Sequence, residues 1–302
     1  MSSAPVVVGV DGSAQALKAV GVAAREAALR GRRLRIVHAL TWPVTAAVRV
    51  FSPASTAETE LRRYADGIVA EAVERARLAA AGLEVSTEVV SGGPLTVLER
   101  QSRSAALLVV GSRGLNTFTG LLAGSVAVHL ASHTRCPLLV VRGRPDPSGD
   151  VLLGVDGSEA GAAAVGFAFA EASLRGARLT ALHVWNPWSV PVPPPPPDPS
   201  EPYASPPGAL KEAEERLLSE ALAGWREKYP DVEVVPRVVR GRIRQTLIEA
   251  TRNAQLAVVG ARGRGGFAGM LLGSVSQALL QHADCPVTVV PHDARGNHPA
   301  EA

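Results

Sequence analysis

The feature that most constrains this chain is that it is written twice. VVVGVDGS at 6–13 returns as VLLGVDGS at 151–158, an offset of 145 residues, and LRIVHAL at 34–40 is matched by RLTALHV at 178–184. Further on the offset is 149: AALLVVGSRG at 105–114 pairs with AQLAVVGARG at 254–263, Gly124-Ser125 with Gly273-Ser274, and Cys136-Pro137 with Cys285-Pro286. Repetition at this length means two copies of one domain, and 302 residues suffice for each copy to bury its own core. The four extra residues fall between His183 and Gly241, an interval holding the one low-complexity stretch, WNPWSVPVPPPPPDPSEPYASPP. Its prolines exclude helix and central strand, so 186–208 is expected to be a stiff extended insert in the second copy. The turn formers of RGRPDPSGD place the break at 145–150. The expected layout is a first domain at 1–144, a linker at 145–150, a second domain at 151–292 and a tail at 293–302.

Each copy alternates strand and helix. The first is expected to hold strands at 6–10, 34–40, 84–90, 106–110 and 137–142. Helices are expected at about 14–30, 58–81, 94–103 and 125–133. Leu61, Tyr64, Ile68, Ala72 and Ala76 form the buried stripe expected of the second helix. Strands 106–110 and 137–142 are almost wholly apolar, as when helices cover both faces of a sheet. Five strands alternating with four helices make an open parallel α/β sheet.

In such a sheet ligands bind beyond the carboxyl ends of the strands, at the switch point. GSRGLNTFTGLLAGS, 111–125, opens at one such end and Asp11 stands at another. Gly111 and Gly114 let the backbone approach a ligand. Gly124-Ser125 then starts a helix whose free N–H groups and hydroxyl suit an anion. Arg113 adds positive charge. The second copy repeats the set with Gly260, Arg262, Gly263, Gly273 and Ser274. Neither copy is a Walker loop, because the chain contains no Gly-Lys pair.

The spacing G-x-x-G, nine residues, G-[ST], with the V-D-G-S opening and the Cys-Pro before a final strand, resembles the ATP-binding signature of the universal stress protein family. The resemblance covers nearly the whole chain as two tandem copies. It implies an adenine-nucleotide-binding fold with strand order 3-2-1-4-5 in each domain and ATP as the ligand, with any Mg²⁺ held chiefly by the phosphates. Carried over, the nucleoside lies between the loops at Asp11-Gly12 and Asp156-Gly157 and the strand ends at His38-Ala39 and His183-Val184. The glycine loops, with Ser125-Val126 and Ser274-Val275, hold the phosphates. The fifth strands, 137–142 and 286–290, are expected to pair and join the copies. Such tandem chains are expected to form homodimers and to signal to a protein effector, which the sequence does not identify.

The loops lack the lysine, second metal-binding acid and water-positioning group that phosphoryl transfer uses. Equal binding of ground and transition states accelerates nothing. A nucleotide-dependent regulator is therefore expected ahead of two alternatives, a slow ATPase or nucleotide hydrolase and a ligand-free scaffold. The second loop continues RGGFAGMLL where the first has LNTFTGLLA, so unequal affinities are expected.

Several other features read as structural. His38 and His183 recur at strand ends, where backbone can satisfy them. His133 and His282 recur at a helix end. Cys136 and Cys285 precede core strands, as small buried side chains do. The formal charge is +3, and only Lys18, Lys211 and Lys228 are lysines among 31 basic residues. The arginines at 30, 32, 33 and 35 bracket a helix C-terminus, and no aromatics interleave with them, so no nucleic acid is expected. No apolar run reaches the roughly 20 residues of a membrane span. The opening Met-Ser-Ser-Ala-Pro lacks the regions of a signal peptide, and cytoplasm is the expected compartment.

Overall fold

In a computed structural model of the chain, residues 4–41, 54–112, 125–144, 148–186, 208–263 and 272–292 are described. Among the described residues, ten strands share a single sheet. The first copy contributes β1 (Val6–Val10), β2 (Leu34–Leu40), β3 (Val85–Ser91), β4 (Leu107–Gly111) and β5 (Leu138–Val141). The second contributes β6 (Asp150–Val155), β7 (Leu179–Trp185), β8 (Val234–Arg240), β9 (Ala254–Gly260) and β10 (Val287–Val290). Their order is β3-β2-β1-β4-β5-β10-β9-β6-β7-β8, which is 3-2-1-4-5 followed by its mirror. Every pairing is parallel except the central one, where Val287, Thr288 and Val289 run antiparallel against Val140, Leu139 and Leu138. The expected pairing of fifth strands is thus the seam of the molecule.

Strand side chains alternate between two helical layers, as a period of two requires. Val6, Val8 and Val10 enter a core covered by α1 (Ala14–Leu29), α2 (Ala54–Ala79), α5 (Ala162–Arg175) and α6 (Ala209–Leu222). Val7 points into the opposite core, beneath α3 (Pro94–Ser102), α4 (Ser125–His133), α8 (Ile243–Ala250) and α9 (Ser274–His282). The short α7 (Trp225–Lys228) leans on the first of these layers through the Phe169, Trp225 and Tyr229 rings. Among the described residues no helix is long and apolar enough to cross a membrane.

One detail of α2 differs from the expected stripe. Ala65, Ile68, Ala72 and Ala76 are buried, but Tyr64 is 60% exposed. At 3.6 residues per turn Tyr64 sits roughly 90° round from the centre of that stripe, and Ala65 takes the core-facing place. The two cysteines lie buried before β5 and β10. Burial pushes each thiol up to about 12, which removes the thiolate that redox chemistry needs.

The end of the first copy is tied to the second through Arg142, Gly143 and Arg144. The Arg142 guanidinium donates to the Leu279 and Gln281 carbonyls at the end of α9, at 2.9 and 2.7 Å. The Arg144 backbone N–H donates to the Asp284 carbonyl at 3.0 Å. Between them Gly143 has φ +72°, and a Cβ there would stand 2.2 Å from the Asp284 carbonyl carbon and oxygen. Gly31 has a similar φ, +58°, with nothing within 4 Å of its would-be Cβ. Gly31→Ala is therefore expected to cost only the left-handed backbone term of about 1–3 kcal/mol. Gly143→Ala is expected to cost more, because backbone must also move. Paired urea unfolding curves measure the difference, and equal midpoints would refute the close packing at the seam.

Candidate functional site

Both copies build the same corner at the carboxyl end of their first strand. In the first, Asp11 Oδ1 accepts from the Ser13 N–H at 3.0 Å, and Ser13 caps α1 by accepting from the Ala16 N–H at 3.1 Å. In the second, Asp156 Oδ1 accepts from both the N–H and the hydroxyl of Ser158, at 3.0 and 2.7 Å. The Ser158 hydroxyl accepts in turn from the Gly161 N–H, at 3.1 Å. These bonds fix the aspartate against its own turn, with Oδ2 on the side of the loop after β9. Gly12 and Gly157 complete the turns, under Ile68 of α2 and Leu217 of α6 respectively.

The loop after β9 meets that corner. A Cβ on Gly263 would lie 2.1 Å from Asp156 Oδ2, and one on Gly260 would lie 3.3 Å from the Gly161 Cα. The loop is held from its far end as well. The Ser276 hydroxyl donates to the Gly260 carbonyl at 2.7 Å, and the Gly273 N–H donates to the Ala261 carbonyl at 2.8 Å. Gly273 is the N-cap of α9 and supplies no side-chain cap. The first N–H groups of this nine-residue helix, at Ser274 and Val275, therefore keep their anion-binding capacity. Ser274 and Arg262 are exposed at the rim.

The second copy thus brings Asp156, Gly157, Gly260, Gly263, Gly273, Ser274 and Val275 to one crevice, with Arg262 at its edge. Val184 lies near the carboxyl end of β7, with its side chain buried in the second core. In the first copy Asp11, Gly12, Ala39, Gly111, Ser125 and Val126 occupy the matching strand ends and helix start. Arg113, Gly114 and Gly124 fall outside the described residues, as do 264–271 of the second loop.

Two contributors escaped the repeat pattern because it does not repeat them. The first copy has Ala127 where the second has Ser276, and Ala16 where the second has Gly161. The histidines are held as expected: Nδ1 of His38 lies 2.9 Å from the Val10 carbonyl, and Nδ1 of His183 lies 2.8 Å from that of Val155. His133 Nδ1 bonds the His129 carbonyl one turn back, at 2.8 Å.

A model of the universal stress protein family matches residues 3–142 and again 148–291. The chain belongs to that family. Curated relatives match this chain over nearly its whole length. A universal stress protein of Mycobacterium tuberculosis is 38% identical over 295 residues, covering 95% of this chain and 96% of its own. One of Mycolicibacterium smegmatis is 40% identical over 296 residues, covering 94% and 96%. The crystal structure of a universal stress protein from Archaeoglobus fulgidus superposes with a TM-score of 0.69 at 18% identity. It covers 97% of this chain and 100% of its own, which shows a shared fold.

Proposed function

We propose that this universal stress protein binds one adenine nucleotide, ATP, in each half, and that occupancy regulates a surface read by a protein partner. The observation that carries the reading is the contact between Gly263 and Asp156. The backbone of the loop after β9 comes up to the Asp156 carboxylate at a glycine, where a Cβ would stand 2.1 Å from Oδ2, and the same loop leads on to the start of α9, which has no side-chain cap. Such a crevice fits a nucleotide: backbone N–H groups and a hydroxyl for phosphates, and a carboxylate for ribose hydroxyls. In the first half the same roles would fall to Asp11, Gly111, Gly114, Gly124 and Ser125. Each half, 1–144 and 151–292, would hold its own ligand. Mg²⁺ would arrive with the phosphates.

The donors available stabilise bound phosphate in its ground state. No lysine lies in either loop to follow charge as it develops, so holding rather than hydrolysis is the expected outcome. The test is to purify the chain, denature it gently, and identify and count what is released. Adenine nucleotide approaching one molecule per half is expected. A chain that releases none, and whose melting does not shift in millimolar ATP, would overturn the reading.

A further inference from the structure

The halves part company at Glu214. α6 carries this carboxylate into the interior, where it is 5% exposed and its Oε2 lies 2.6 Å from Nε2 of His183, itself 4% exposed. The other ring nitrogen, Nδ1, faces the Val155 carbonyl. A carbonyl oxygen only accepts, so Nδ1 carries a proton. A neutral imidazole in that tautomer presents a lone pair at Nε2, and an ionised carboxylate presents another. Two lone pairs do not approach to 2.6 Å, so a further proton sits between Nε2 and Oε2. The ring is thereby fixed at both nitrogens.

The first half has the histidine without the acid. Ile68 stands over Gly12 as Leu217 stands over Gly157, which relates α2 to α6 by 149 residues. The same offset puts Ala65 in the place of Glu214, and Ala65 is fully buried. The difference bears on the crevice through two short paths. Val155, whose carbonyl His183 holds, is bonded directly to Asp156, the residue against Gly263. Leu217 follows Glu214 by one helical turn and covers Gly157.

We propose that Glu214, acting through His183, is a positioning residue of the second nucleotide site and has no counterpart in the first. The inference rests on the nucleotide-binding reading above. The experiment titrates a fluorescent ATP analogue into the full chain, the second site being the component that Gly263→Ala removes. Glu214→Ala is expected to weaken that component by about tenfold or more, the scale of one buried charge-assisted hydrogen bond, and to leave the first site within about twofold. Glu214→Gln is expected to restore it, because its amide N–H can donate to the Nε2 lone pair of neutral His183 and keep the ring in place. In ¹⁵N spectra of the imidazole, the wild-type ring is expected to be protonated or proton-sharing at both nitrogens, and the Glu214→Gln ring to show the single Nδ1–H tautomer. If the cavity in Glu214→Ala unfolds the chain, Glu214→Leu fills the volume without an acceptor and carries the same comparison.

Unchanged second-site affinity in the Ala or Leu variant overturns the positioning role. So does equal weakening of both sites, which marks a general loss of structure. Glu214→Gln failing as Ala does would assign the effect to charge instead and overturn it too. A wild-type chain that binds at neither site overturns the nucleotide-binding reading itself, and this inference with it.

Discussion

Gly263→Ala is expected to empty the second half of nucleotide while the first half stays filled. The new methyl needs the space that Asp156 Oδ2 occupies, 2.1 Å from the Cβ position. An aspartate at the end of a free side chain would simply rotate away. This one cannot do so cheaply, because its other oxygen accepts two hydrogen bonds from Ser158. Either the carboxylate gives up those bonds, at about 1.5–3 kcal/mol for each bond to a charged group, or the Gly260–Gly263 loop backs out of the crevice. The loop's own ties, from Ser276 and Gly273, resist the second course. Both routes dismantle the proposed site, and even the loss of both bonds at the low end corresponds to about 10²-fold in affinity. The count of nucleotide released per chain is expected to fall by one molecule. An unchanged count in a folded variant would show that the ligand lies elsewhere.

The frame of the molecule was legible because it depends on patterns that repeat. The alternation of strand and helix patterns marked the strands of the first copy within a residue or so, and the resemblance carried by the glycine spacing implied both strand order and the β5–β10 seam. What escaped was whatever one copy has and the other lacks. Glu214 reads as one more acid on a helix rich in Glu, and alignment with Ala65 hides it. Ser276 is hidden in the same way by Ala127. Tyr64 was assigned to the core by periodicity alone, which does not separate neighbouring positions on the edge of a stripe. Arg30 was legible as a cation at a helix end, and its true surroundings depend on a contact 141 residues away in sequence.

That contact carries the second large expectation. Glu26 and Arg30 of the first copy recur as Glu171 and Arg175 in the second, at the 145-residue offset. The pairs meet across the seam as a closed quartet. Arg30 bridges Glu26 and Glu171, and Arg175 bridges the same two acids at 2.6 and 2.8 Å. All four side chains are largely buried. Burial alone would raise the Glu26 carboxyl, but Arg30 and Arg175 outweigh it and hold the carboxyl below its ordinary value of 4.5. Removing Arg30 leaves two buried carboxylates to share a single arginine, so Arg30→Ala is expected to destabilise the chain by about 3–5 kcal/mol, read from urea unfolding at neutral pH. Because the quartet is symmetric, Arg175→Ala is expected to cost a similar amount. A folded Glu26 that titrates below its unfolded value contributes stability above the ordinary carboxylate range and loses it as pH falls through the lowered value. The gap between wild type and Arg30→Ala is therefore expected to narrow in acid, below about pH 4.5. The double variant Glu26→Gln/Arg30→Met separates two accounts of the loss. It removes one acid with one base and leaves a neutral Glu171–Arg175 pair. If the damage in Arg30→Ala comes from unbalanced buried charge, the double variant recovers most of the stability. If instead the bridges themselves hold the copies together, it is no better than the single one.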